Sequence, residues 1–515
     1  MVPTTKMSSN FAERLDTVAA KYPDKPAFIS ENGEITFSQL RERTMSIGSL
    51  LLDVIKPRQP VAVLMERNIW APAAILGVVQ AGGIAAPLDA TMPAERMLKV
   101  FETLAPACII IDHTADKTVE GLKDHVDCPI YYYDDICNTE INEAGIMAMR
   151  DVIGLTDPVM LYYTSGSTGI PKGAVYTHRC MLNYADRASD YTDVVNEDCI
   201  CGNQAPFFYA NSLNDLWLPI ACGYTVRIIP NQIFLFPEAF VNYVNQYGIS
   251  TMVMTPMNYI YIADGGVLTP GCMPNVKSVY MSGEVVPVDK MKLWAEACSN
   301  AQCWNIYGAT EFPYTAQYCF HPDECKDGEL VPVGYNIRDS RVLILDENGD
   351  MVAPGVVGDV YATSPWRSAG YYRNKELTLA SYIRDPMDEG VDTIFFKTGD
   401  LGWIDEKGRL VIRGRKDTQI KHRGYRMDIG EVNTALVGIE GWQNGCVMFS
   451  EDEDLIYCFW TGPLSEADVK SGLQAKIEKY MMPNVYVHLD ELPRTSSGKM
   501  DRVTLKEKYF GQGMK

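Results

Sequence analysis

The chain has 515 residues, 47% of them hydrophobic and 22% charged, and a formal net charge of −20; it is too long for one ordinary core, and roughly two to four globular domains are expected. The acidity excludes nucleic acid as a partner unless basic residues are segregated, and no block of Lys and Arg does so. No apolar run reaches the ~18 residues of a membrane helix, and the polar start, residues 1–6, lacks a signal-peptide core, so a cytoplasmic protein without a membrane partner is expected.

In chain order, Thr36 starts a helix whose apolar residues continue through Leu51 and Ile55. Val61–Leu64 reads as a strand, Ile69–Ala81 as a helix closed by Gly82 and Gly83, and Ile84–Leu88 as a strand. A helix over Pro93–Leu104 and a strand over Cys108–Ile111 continue the rhythm. Such alternation predicts right-handed βαβ units on mainly parallel sheets. It resumes with strands over Val159–Tyr162, Ser250–Met254 and Ser278–Met281, then a helix over Val288–Ala297. Near residue 340 the pattern changes to hairpins, with turns at Asp346–Asp350 and Asp405–Gly408. The last ~100 residues combine two strands, Gly445–Phe449 and Leu455–Trp460, with one amphipathic helix over Glu466–Tyr480, enough for a small separate core. The fourteen cysteines form no Cys-x-x-Cys pair and do not group with the six histidines. Reduced thiols and no zinc site are expected.

The richest stretch is Tyr163-Thr164-Ser165-Gly166-Ser167-Thr168-Gly169-Ile170-Pro171-Lys172-Gly173. Glycines let backbone N–H groups approach a polyphosphate, hydroxyls add donors, and lysine adds a compact positive charge. Lys172 and the apolar flanks argue against a Ser/Gly linker, and the absence of Gly-Lys-Ser/Thr before a helix rules out a Walker A loop. Four further stretches follow: Asn305-Ile306-Tyr307-Gly308-Ala309-Thr310-Glu311; Lys397-Thr398-Gly399-Asp400; Gly414 to Arg426; and Pro493 to Arg502, which contains Gly498-Lys499-Met500-Asp501-Arg502. Each alone is an ordinary turn. Together and in this order, from about residue 25 to residue 505, they resemble the adenylate-forming superfamily of acyl-CoA ligases, luciferases and nonribosomal-peptide adenylation domains.

The resemblance implies an α/β fold: two mainly parallel βαβ sheets plus a β-rich subdomain at about 335–413, all within residues 1–413, a hinge at 414–418, and a small mobile α+β domain over 419–515. It implies an AMP-forming acid–thiol ligase using ATP and Mg²⁺. Thr164, Ser165, Gly166, Ser167, Thr168, Gly169 and Lys172 would hold phosphates. Asn305 would read the adenine amino group, with Tyr307 and Gly308 against the ring. Thr310 and Glu311 would reach phosphate and metal, Glu311 being a hard oxygen ligand. Asp400 would accept from the ribose hydroxyls and Arg415 would contact ribose and phosphate. Lys499 would bridge the substrate carboxylate and the α-phosphate, so Lys499, Glu311, Thr168 and Lys172 carry the chemistry. Asp417 would be the hinge, and Gly424 would line a tunnel for the thiol. Glu311→Gln is expected to weaken magnesium dependence with little effect on stability.

Gln80–Asp89 and the Gly-Lys-Met-Asp-Arg ending resemble the branch that loads carrier proteins. A freestanding enzyme loading a separate phosphopantetheine carrier is expected, with free coenzyme A as the alternative acceptor. A luciferase-like oxygenase and a non-catalytic nucleotide binder are the remaining alternatives. By resemblance the acyl pocket comprises Tyr209, Ala210, Asn211, Asn214, Val253, Tyr280, Ser282, Ile306, Tyr314 and Thr315. Ala210 stands where amino-acid-activating relatives carry the Asp that pairs with an α-ammonium, and a buried ammonium without a partner is costly. Asp215 is a conceivable substitute. The lining suits a small polar or aromatic acid, an unusual amino acid included. Ile412 replaces an aromatic found near the adenosine in peptide-synthetase relatives.

Overall fold

The computed structural model describes residues 10–164, 171–191, 196–283, 286–326, 329–387, 390, 392–415, 419–493 and 500–510. Ser165, Gly166, Ser167, Thr168, Gly169, Asp417 and Lys499 lie outside them.

The helix Ala71–Gln80 is buried along its whole length. Its sequence is apolar all round, which suits a helix enclosed by the core rather than one lying on a surface. Strands from two large sheets share its hydrophobic cluster. The six-stranded sheet runs Ile130–Tyr132, Cys108–Ile111, Pro60–Leu64, Ile84–Leu88, Pro158–Thr164 and Lys172–Thr177, parallel except for the last pair. That antiparallel pair, Pro158–Thr164 with Lys172–Thr177, flanks the Ser/Gly-rich loop and sets Thr164 opposite Lys172. The nine-stranded sheet is parallel from Gln302–Ala309 through Ser278–Ser282, Thr251–Met254, Ile200–Asn203 and Thr225–Ile228 to Pro26–Ser30, with antiparallel strands at both edges. The expected βαβ rhythm is present, and the helix Phe37–Val54 begins with a reciprocal Thr36/Gln39 capping box.

A five-stranded sheet follows, built from Arg341–Leu345, Gly358–Thr363, Tyr382–Arg384, Ile394–Ile404 and Leu410–Arg415. The Asp346 carboxylate accepts from the Asn348 and Asp350 amides and makes the expected turn. Just after that turn the chain pairs back only briefly, at Leu345 and Met351, and the full antiparallel partner of Arg341–Leu345 is Gly358–Thr363.

The C-terminal part has the hairpin Gln419–His422/Tyr425–Asp428 and a three-stranded sheet of Asn444–Ser450, Leu455–Thr461 and Val485–His488. Its helices are Ile429–Val437, Glu466–Gln474 and Arg502–Tyr509, so one helix is corrected to three among the described residues. The predicted helix over Glu466–Tyr480 stops at Gln474. Beyond it, Glu478 pairs with Arg96 and Tyr480 stacks on Tyr425. Among the described residues no helix is long and apolar enough to cross a membrane.

Candidate active site

Glu311 sits between the strands Gln302–Ala309 and Phe312–Cys319 and is fully buried. Its Oε1 accepts from the Tyr371 hydroxyl at 2.6 Å, with Lys172 Nζ 3.9 Å away; its Oε2 accepts from Arg426 at 2.7 Å. Burial alone would raise its pKa, but Arg426, Lys172 and the Tyr371 hydroxyl outweigh it and hold the carboxyl at about 2. The site therefore contains a permanently ionised carboxylate facing the hairpin that carries Lys172.

Asp400, on the strand Ile394–Ile404, accepts from Tyr307 Oη at 2.6 Å and from Arg415 at 2.8 Å. Thr398 Oγ1 accepts from the Asp400 amide and donates to Val360 O, which fixes the Thr-Gly-Asp turn. Gln419 Oε1 accepts from Arg415 at 3.0 Å and from Arg426 at 2.8 and 3.0 Å. A continuous polar chain thus runs Asp400–Arg415–Gln419–Arg426–Glu311, and its Arg415–Gln419 and Arg426–Glu311 links join the C-terminal hairpin to the N-terminal part. The Asn305 amide nitrogen donates to the carbonyls of Val331 and Pro332, leaving Oδ1 buried without a partner among the described residues.

Next to this chain lies a cavity of about 590 Å³, open mouth included. Tyr209, Ala210, Asn211, Asn214, Ser282, Gly308, Thr310 and Tyr314, all singled out in the sequence, line it. Tyr184 donates to Asn214 Oδ1 at 2.6 Å, and Lys421 and Arg426 close the side nearest the hairpin. Val253, Tyr280, Ile306 and Thr315 are buried behind this wall instead. The cavity sits at the carboxyl ends of the parallel strands: Ser282, the last residue of its strand, reaches it, whereas Tyr280 lies one pleat deeper against Trp304. Asp215, the conceivable stand-in for a pocket carboxylate, does not line the cavity. It is fully buried away from the cavity, accepting from Asn203 at 2.6 Å and from the Cys201 thiol at 3.6 Å. No acidic residue lines the cavity among the described residues.

A second cavity, about 650 Å³, lies between the N- and C-terminal parts and is lined by Arg96, Glu478, Tyr480, Tyr425 and Phe208 among others. It shares Tyr209, Thr310 and Arg426 with the first, so these three form the junction. Gly424 is not on either wall; its carbonyl accepts from Tyr209 Oη at 2.8 Å and so holds the hairpin turn against the first cavity.

Arg426, Gln419, Lys421 and Tyr371 were not singled out as site residues in the sequence. A signal for two of them existed: Lys421 and Arg426 pair directly across a two-residue turn and so share one face. Tyr371 carries none, since its role depends on a fold contact with a residue 60 positions away.

Residues 15–372 match the model of a family described as AMP-binding enzyme. Over 96% of its length the chain is 26% identical to bacitracin synthase 1 of Bacillus licheniformis, covering 9% of that protein. Over 98% of its length it is 27% identical to enterobactin synthase component F of Escherichia coli (strain K12), covering 39% of it. The chain thus spans well under half of these relatives. Similar solved folds include the Vibrio cholerae adenylation domain AlmE in complex with glycyl-adenosine-5'-phosphate (TM-score 0.83, 18% identity, 98% of this chain and 99% of that one). The adenylation and PCP protein holo-PA1221 gives a TM-score of 0.82 at 20% identity, over 97% of this chain and 84% of that one. A double mutant of Bacillus subtilis o-succinylbenzoate CoA synthetase, bound with its product analogue, gives 0.81 at 19% identity, over 97% and 98%.

Proposed function

The chain belongs to the AMP-binding enzyme family and is an AMP-forming ligase of the adenylation and acyl-CoA ligase type; on that premise we propose that it activates a small polar or aromatic acid lacking an α-ammonium and passes it to the phosphopantetheine thiol of a separate carrier protein. The observation that supports this reading most is the acyl cavity, which adjoins Glu311 and Thr310 yet has no carboxylate among its described lining residues.

The residues fit Mg·ATP. One ionised, hard-oxygen carboxylate plus substrate phosphates is a donor set magnesium accepts, and Glu311 supplies that carboxylate. The metal would neutralise charge on the phosphates. The unpartnered Asn305 Oδ1 is the acceptor an adenine amino group requires. Asp400 spends one lone pair per oxygen on Tyr307 and Arg415, which leaves capacity for ribose hydroxyls. Lys172 adds positive charge beside Thr164 and Glu311, and Lys499, by family position, completes the charge neutralisation. Catalysis is then positioning and preorganised charge: the acid's carboxylate attacks the α-phosphorus and pyrophosphate leaves. In the second half-reaction a thiol, entering through the cavity between the two parts, displaces AMP from the acyl carbon.

The test is acid-dependent pyrophosphate release over a panel of α-amino, β-amino, hydroxy and aryl acids, followed by thioester formation on a holo-carrier and on free coenzyme A. Preference for an ammonium-free acid and for the carrier is expected. Saturable activity with a proteinogenic α-amino acid would overturn the substrate reading, and preference for coenzyme A would move the protein to the acyl-CoA ligase alternative.

A further inference from the structure

Every oxygen of Glu311 is engaged, and one of its partners comes from the C-terminal hairpin. Oε1 is held by Tyr371 and neighboured by Lys172, both from the N-terminal part, and Oε2 accepts from Arg426 at 2.7 Å. We propose that Arg426 takes the position of the divalent cation at Glu311, so that metal binding there and docking of the hairpin Gln419–His422/Tyr425–Asp428 exclude each other. The inference rests on the assignment of Glu311 to Mg·ATP made above.

The argument is steric and electrostatic. Magnesium sits about 2.0–2.1 Å from its oxygen ligands with near-octahedral demands. The Oε2 position is filled by a guanidinium nitrogen 2.7 Å away. Tyr371 is fixed on Oε1 by its own strand neighbourhood and does not move with the C-terminal part. Two cations on one carboxylate face, with Lys172 beside them, would repel in a buried site.

The converse holds as strongly. Once the metal leaves, Glu311 is a fully buried anion, and an unpaired buried charge is strongly unfavourable. Arg426 meets that need with a charge-assisted hydrogen bond, and Gln419 binds its remaining donors. The same movement seats Lys421 on the acyl cavity and Tyr425 against Tyr209, and it forms the junction between the two cavities. Arg426 is therefore a positioning residue. Departure of metal with pyrophosphate exposes Glu311, and the hairpin that serves the second half-reaction answers that exposure. Arg415 does not share the role, because it pairs with Asp400 on its own N-terminal sheet.

By reciprocity, metal must weaken docking by the factor by which Arg426 weakens metal binding. The experiment uses the full chain with fluorophores at the exposed positions Leu379 and Glu451, a non-hydrolysable α,β-methylene ATP, and Mg²⁺. In the wild type, energy transfer should change when Mg²⁺ is added to the analogue-saturated protein, and not when analogue is added alone. Arg426→Met should start near the Mg²⁺-shifted value, respond little to Mg²⁺, and bind it about tenfold more tightly in calorimetry, within the usual range of coupling. Arg426→Lys, which keeps a cation, should restore part of the response. If the analogue and Mg²⁺ bind to the wild type with no change in energy transfer, or if Arg426→Met leaves Mg²⁺ affinity unchanged, the inference fails while the assignment of the site stands. If neither binds, both fail.

Discussion

Glu311 keeps its charge in a fully buried position because three donors converge on it, and removing that charge has two consequences. Glu311→Gln should shift the magnesium titration of pyrophosphate release to higher concentrations. It should also destabilise the docked protein by about 3 kcal/mol, since Arg426 and Lys172 would then face a neutral amide. The expectation of little effect on stability gives way, because the sequence presents the residue in a turn and the fold encloses it. With its carboxyl held at about 2 against an ordinary 4.5, Glu311 stabilises the protein above pH 4.5, and that stabilisation is lost as pH falls towards 2. Denaturant midpoints measured across that window should drop for the wild type and much less for the variant. Asp215 has the opposite sign. Burial pushes its carboxyl up to about 7 despite the hydrogen bond from Asn203, so its ionisation costs stability as pH rises from about 4 to 7. Asp215→Asn should flatten that decline and leave the profile of accepted acids unchanged; an altered profile would return Asp215 to the pocket.

At the scale of elements, the hairpin turn His422-Arg423-Gly424-Tyr425 has two central residues with positive φ, 49° and 84°, as a type I′ turn requires. Gly424 meets that requirement without strain, and a Cβ there would lie 2.7 Å from Thr255 Oγ1. Gly424→Ala should therefore combine a left-handed backbone cost of about 1–2 kcal/mol with a clash against the N-terminal part. Transfer from synthetic acyl-AMP to a holo-carrier should fall while acid-dependent pyrophosphate release persists. Equal loss of both half-reactions in a folded variant would remove the hairpin from a step-specific role. Most elements were legible because each carries its own periodicity: Ile84–Leu88, Cys108–Ile111 and Val288–Ala297 fall where the apolar pattern puts them. The motif residues Glu311, Lys172, Asp400 and Arg415 were legible from their order and do meet in space. The depth of the acyl wall was not, since Val253 and Tyr280 have the same alternation as Ser282 and differ only in distance along the strand. Nor was Arg426, whose partner lies 115 residues earlier.

The whole molecule is held in its observed arrangement by a second ionic contact between the N- and C-terminal parts. Arg96, on the helix Ala94–Leu104, is buried between Glu431 and Glu478 of the C-terminal part, with Glu478 Oε1 at 2.6 Å. Two carboxylates share one guanidinium, and each keeps a buried oxygen without a hydrogen-bond partner among the described residues. Burial pushes the Glu478 carboxyl up to about 7 although Arg96 pulls it down, and Glu431 is raised for the same reason. Between its ordinary 4.5 and about 7, Glu478 holds a proton in the docked arrangement that it has released when exposed to solvent. The contribution of Glu478 to docking is therefore full below pH 4.5 and is lost as pH rises to about 7, beyond which this residue adds no further change. Energy transfer between Leu379 and Glu451, followed from about pH 5 to pH 8, should report progressive undocking in the wild type. Glu478→Gln, neutral throughout, should flatten the curve and remain docked at the alkaline end. Arg96→Met should undock the two parts most at the alkaline end, where both carboxylates would be ionised and buried without their guanidinium, at a cost of about 3–5 kcal/mol. A wild-type profile as flat as that of Glu478→Gln would show that the Arg96 contact does not govern how the two parts meet.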